Sequence, residues 1–193
     1  MPKVVDAEAQ REEIRVAARL VFAERGVRGT GLAHVAEAVG MGRSSLYHYY
    51  PDKNALLGDL VHEMLQQERA LFRTCLRAEG TPLARLEGLA EACGELFPEW
   101  AAFGRMILDL RLEDAQLLKT YFRGLRKDLT AVIAEGQRDG SLSKELDAKV
   151  FASMLIGAID GLLLQYFVDP RALSEPAKLA QALRTTTRRL VAR

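Results

Sequence analysis

The 193-residue chain sets Lys+Arg 27 against Asp+Glu 26, for a formal net charge of +1, and is 49% hydrophobic and 27% charged. That composition excludes a disordered tail, since enough apolar surface is present to offset chain entropy. It also argues against a uniformly basic nucleic-acid coat, although a local basic patch still suffices for phosphate contacts. The length fits one compact domain, or a small one joined to a larger one. Two cysteines, Cys75 and Cys93, cannot build a disulfide framework and match no zinc spacing. The opening Met1-Pro2-Lys3-Val4-Val5-Asp6 holds no apolar run of signal-peptide length, so the expected compartment is the cytoplasm.

Taken in chain order, helical periodicity dominates and strand alternation is absent, which predicts an all-α chain of about nine helices. Ile14, Ala17, Ala18, Val21 and Phe22 form the stripe of a first helix that stops at Gly26. A short second helix carries Leu32, Val35, Ala36 and Val39, and a third runs from about Arg43 to Tyr49. Pro51-Asp52 opens a long fourth helix reaching Glu79-Gly80-Thr81-Pro82, a rod of about 40 Å at 1.5 Å per residue. Further helices are expected over 83–96, 101–112, 114–139, 147–168 and 174–191. The stretch 151–168 is the one that resembles a membrane span, but Asp160 near its centre costs about 2.5–3.5 kcal/mol on insertion scales. A buried helix of a soluble protein, with no membrane partner, is the better reading.

Residues 30–50 are the informative segment. Two short helices joined by a glycine-containing turn fit a helix-turn-helix unit, and equally fit a plain helical hairpin. Small Ala36 lets the helices approach, and Gly40 permits the left-handed backbone that reverses the chain. Leu32, Val35, Val39 and Leu46 fill the space between them. The third helix then presents Arg43, Ser44, Ser45, Tyr47, His48 and Tyr49, donors and flat rings suited to phosphates and base edges. Lys53 stands in the first turn of the next helix, where its charge and the free amides can meet a phosphate. Arg25, Arg28, Arg43 and Lys53 against Glu37 and Asp52 leave a local balance of 4 − 2 = +2.

Over about 50 residues the chain resembles the DNA-binding domain of the TetR family of transcriptional regulators. The likeness runs through Ile14–Ala18, Phe22–Gly26, Thr30 and Val35–Gly40, and is most specific in Leu46-Tyr47-His48-Tyr49-Tyr50, Asp52-Lys53 and Leu56-Leu57. It implies that Thr30, Tyr47 and Lys53 hold phosphates, while Arg43, Ser44, Ser45, His48 and Tyr49 face base edges or nearby phosphates. Arg43 is the candidate for a guanine, through O6 and N7, with a phosphate clamp as the other role. The sequence departs from the pattern at Gly31, where Ser or Thr is usual, and at His34, where an acid is common. Gly42 replaces the Ser or Thr that often caps the recognition helix, so no side-chain contact is carried over there, and Tyr50 replaces the common Phe.

The same resemblance divides the chain into a DNA-binding domain, 1–53, and an effector-binding and dimerisation domain, 54–193. It implies a homodimer, more in keeping with a repressor than an activator, that leaves a palindromic double-stranded operator when a small effector binds. The fourth helix, starting at the DNA contacts, is the expected lever. The helix over 147–168 is apolar nearly all round and must bury more than one face, against core and partner subunit or wholly inside a monomer. Gly157, Asp160, Gly161 and Leu164, with Leu179, Leu183, Thr186 and Leu190 on the last helix, are the candidate dimer residues. Candidate effector contacts are Phe72, Phe97, Trp100, Phe103 and Met106, together with Ile107, Tyr121, Phe122, Leu125 and Met154. Each of them could equally fill core. That lining would suit a hydrophobic or amphipathic effector.

No enzyme constellation assembles. His34, His48 and His62 lie far apart in sequence, and His62-Glu63 lacks the second histidine of a zinc protease helix. No metal or cofactor is expected. The alternative from another class is a helical protein-interaction module, which would show no salt-dependent DNA affinity.

Overall fold

The computed structural model describes residues 6–108, 115–169, 171 and 175–191, with the side chains of 98, 99, 101–108, 115, 167, 176, 190 and 191 left aside. Among these residues the chain forms eight helices and no strand: α1 Ala7–Arg25, α2 Leu32–Val39, α3 Arg43–Tyr49, α4 Lys53–Arg77, α5 Pro82–Leu108, α6 Ala115–Asp139, α7 Ala148–Val168 and α8 Pro176–Val191. The count is one below the expected nine because 83–96 and 101–112 are not separate. A single helix, α5, runs through Phe97 and Trp100, both buried. Pro98 removes one intrahelical hydrogen bond, a cost of about 3 kcal/mol, which burial of those two large rings offsets.

The chain divides into two compact units, Met1–Met64 with Arg105–Asp114, and Leu65–Gly104 with Ala115–Arg193. Helix α4 belongs to both, changing units between Met64 and Leu65. The expected boundary at 53/54 falls at the start of α4.

In the first unit, α1 begins at Asp6, whose carboxylate accepts from the amides of Glu8 and Ala9. Its stripe buries Ile14, Ala18, Val21 and Phe22 against Leu32, Val35, Ala36 and Leu46. Between α2 and α3 the chain turns at Gly40, φ 73°, a left-handed conformation that L side chains rarely adopt. The amide of Met41 closes this turn on the Ala36 carbonyl at 2.9 Å.

The second unit is held by α6 packed along α7 and by α8 docked on α5. A Cβ placed on Gly94 would lie 2.5 Å from the Ala180 Cα, so α5 and α8 touch backbone to backbone there. Beside this contact Glu87, only 4% exposed, is paired by Arg188 at 2.6 Å and Arg184 at 3.5 Å. Both cations come from α8, so the buried carboxylate is compensated. Helix α7 starts at Asp147, which caps the amides of Lys149 and Val150. Within it, Ala148–Tyr166 is long and apolar enough to cross a membrane by length and composition, yet only 22% of that window is buried.

Candidate functional site

The third helix exposes one chemistry. Leu46 is fully buried and anchors α3, while Arg43, Ser44, Ser45 and His48 are exposed. Tyr47 is 53% exposed and Tyr49 half-buried. The α3 N-terminus opens at Gly42 with no side-chain cap, leaving its amides free to meet an anion. A seven-residue helix showing a guanidinium, two hydroxyls, a phenol and an imidazole offers donors for both phosphates and base edges. None of these side chains forms an ion pair with another described residue.

What aims α3 is a polar network that sequence reasoning missed. Tyr50, the residue that ends α3, is 2% exposed, and its hydroxyl donates to the Asp59 carboxylate on α4. Burial first, then Asp59, pushes the Tyr50 phenol up to about 12, so it stays a donor. Asp59 is also reached by Arg15 of α1 at 3.4 Å, and Arg15 pairs with Glu8 and Glu12 as well. Arg19 joins Glu12 and Glu63, and Arg11 lies over the Tyr50 ring at 5.5 Å. Two helices, α1 and α4, therefore converge on the end of α3. The only sequence signal for this was Tyr at position 50 in place of Phe.

Two of the residues expected at phosphates also make hydrogen bonds within the chain. Thr30 is 2% exposed and its hydroxyl donates to the Gly26 carbonyl at 2.6 Å, closing the loop before α2 instead of facing outward. The Lys53 ammonium donates to the Val27 carbonyl at 3.0 Å, bracing the same loop against α4 and keeping two further donors for a phosphate. His34 explains one of the sequence's departures. Its Nδ1 accepts from the Gly31 amide at 3.1 Å, while its own amide donates to the Gly31 carbonyl, so the imidazole takes over the reach-back of a capping acid.

Comparison with known proteins decides what this geometry is. Residues 14–60 match the model for bacterial regulatory proteins of the tetR family, and 111–192 match the C-terminal model of BetI-type transcriptional repressors. The chain belongs to the TetR family. It is 27% identical over 144 residues to the transcriptional repressor KstR2 of Mycolicibacterium smegmatis, covering 72% of this chain and 70% of that one. It is 24% identical to the regulator UidR of Escherichia coli, over 93% of this chain and 91% of UidR. The solved structure of the ketosteroid transcriptional regulator KstR2 of Mycobacterium tuberculosis shares the fold, with TM-score 0.73 at 22% identity and 95% of each chain covered. This TetR-family protein is accordingly a DNA-binding transcriptional regulator and not an enzyme, and α2–α3 is its helix-turn-helix.

In the regulator's second unit, Phe72, Phe97, Trp100, Tyr121 and Leu125 are buried together with a half-buried Phe122. Phe97 meets Trp100 at 6.5 Å and Tyr166 at 6.4 Å between ring centroids. Met154 differs from expectation: it is 60% exposed, because its side of α7 turns away from the unit's interior. The side chains of Phe103, Met106, Ile107 and Leu190 lie outside the described residues. Of the expected seam, Gly157 and Leu164 are exposed and Gly161 half-buried, with nothing within 4 Å of a Cβ placed at either glycine. Leu179 is 9% exposed and packs within its own subunit. Asp160 turns inward: its charge acts on Glu68, Tyr121 and Cys93, and burial pushes it up to about 6. Leu183 and Thr186 line an apolar cavity of about 60 Å³ together with Leu155, Ala158 and Ile159 of α7.

Proposed function

We propose that the regulator is a homodimeric cytoplasmic repressor that reads a palindromic operator through residues 1–53. A small apolar or amphipathic effector, held within 54–193, releases it. The observation that carries the dimer is α7: an apolar helix with only 22% of its 148–166 window buried exposes too much apolar surface for a lone subunit. Leu164 and Val168, 51% and 73% exposed, extend this face, and the bare Gly157 and Gly161 allow a second helix to approach closely. Two-fold pairing of such a face places two copies of α3 on half-sites of inverted repeat.

Helix α4 supports the release step. It is one continuous rod of 25 residues, about 38 Å, carrying Lys53 at one end and Phe72 near the other. An effector that binds one arrangement of this rod better than another shifts the operator-competent population, and only by that difference in affinity.

Selection from random duplexes, paired with sedimentation of wild type and Leu164→Glu, tests the proposal. Inverted half-sites, a wild-type dimer and a monomeric, operator-blind Leu164→Glu are expected. An asymmetric site, or a variant that stays dimeric and binds normally, would contradict it.

A further inference from the structure

The first helix of a helix-turn-helix crosses the nucleic-acid backbone, so the donors at the start of α2 decide what it can hold there. Three side chains that carry donors are hydrogen-bonded to the turn over 26–31: Thr30, Lys53 and His34. One short frame connects them. The Val27 carbonyl accepts the Thr30 amide at 3.3 Å and the Lys53 ammonium at 3.0 Å. Next to Thr30 stands Gly31, whose amide donates to His34 Nδ1 at 3.1 Å.

What each has left for a partner differs. Thr30 is 2% exposed and its hydroxyl proton goes to the Gly26 carbonyl. Gly31 and Ala33 bring no polar side chain. Lys53 keeps two further donors. His34 is half-buried and makes no other hydrogen bond or ion pair with a described residue. A backbone amide can only donate, so the Nδ1 that faces it is the bare nitrogen and the ring proton stands on Nε2. The two nitrogens lie on opposite sides of the ring, which turns this N–H away from the Gly31 amide. A single bond therefore closes the helix start, fixes the ring and selects the tautomer that offers a donor.

We propose that His34 is a DNA-contact residue: held by Gly31, its Nε2–H donates to a backbone phosphate on the flank of the turn that Lys53 braces. The usual reach-back side chain at this helix position is Glu or Gln. A glutamate would close the same bond while setting a negative charge against the nucleic acid. The imidazole closes it without that charge and adds a donor. Because the ring is already held, little side-chain freedom is lost on binding. A phosphate contact carries no sequence information, so His34 adds affinity and register and leaves the choice of bases to α3.

Full-length wild type, His34→Glu, His34→Gln and His34→Ala are compared by anisotropy on a duplex recovered from random selection and on an unrelated duplex, beside melting curves. His34→Glu keeps the reach-back acceptor, so it should melt with wild type while both affinities fall ~fivefold or more. The fall should be equal on the two duplexes. His34→Gln offers both an acceptor and a donor and should stay within ~threefold of wild type. The contact itself is read by replacing phosphates of the selected duplex, one at a time, with neutral methylphosphonate. One such replacement should weaken wild type and leave His34→Ala unaffected, whatever alanine does to the melting temperature. Should His34→Glu not yield folded protein, this cycle with His34→Ala decides alone. Wild-type affinity in His34→Glu, a loss confined to the selected duplex, or methylphosphonate penalties identical in wild type and His34→Ala overturns the proposal.

Discussion

The two units of this molecule hold their polar groups in opposite ways. The first displays them: Arg43, Ser44, Ser45, Tyr47 and His48 point outward from a short helix whose inner side is one buried leucine, Leu46. The second draws them inward, where Arg184 and Arg188 answer Glu87 and where burial raises Glu68, Tyr121 and Asp160. An outward-facing site is composed of consecutive residues and survives as a pattern. An inward-facing one is composed of residues from α4, α5, α6 and α7 that no local spacing connects.

The predictions probe that contrast from the largest effect down. Replacing Arg43 by alanine removes a contact worth about 1–3 kcal/mol per half-site, felt twice in a dimer; operator anisotropy titrations should show a correspondingly large loss with an unchanged melting curve. In the second unit, Gly94→Val forces a side chain into the Ala180 backbone. Overpacking of this kind costs about 1–3 kcal/mol, and calorimetry should register a lower melting temperature as α8 loses its seat on α5.

The acid pair predicts a pH signature. Folded Glu68 titrates near 7, above its ordinary 4.5, so the native state holds the proton more tightly than the unfolded chain. Stability is therefore full below about pH 4.5 and falls as pH rises through 7, by about 1–3 kcal/mol at most. Glu68→Gln should flatten that decline in melting curves taken across the range; an equal decline in the variant would mean that other groups cause it. Smallest is Tyr50→Phe, which deletes one hydrogen bond to an Asp59 still held by Arg15. About 1 kcal/mol of stability should be lost, with operator affinity falling further than that stability change accounts for, because α3 loses its terminal tether.

How much was legible follows from the same division. The α3 face, the Gly40 turn and the bounds of α3 were readable because each depends on residues within one or two turns. The Thr30 hydroxyl bond to the Gly26 carbonyl was not legible, because a hydroxyl at the mouth of a helix reads the same in sequence whatever accepts from it. The joined α5 was missed because the burial that offsets Pro98 comes from tertiary packing of Phe97 and Trp100. Glu68 drew no notice among Gln66, Gln67 and Arg69, a stretch that looks like a solvated face. Its neighbours Tyr121 and Asp160 are 53 and 92 positions away.

The central claim is that α3 reads DNA sequence. Equilibrium binding of wild type and Arg43→Ala to duplexes drawn from the DNA flanking the coding region, against an unrelated duplex at two salt concentrations, tests it most directly. The account predicts tight, sequence-preferring binding that weakens with salt, as phosphate contacts require, and that Arg43→Ala reduces. Affinity indifferent to salt, to sequence and to Arg43, on these duplexes and on any recovered from random selection, would contradict it.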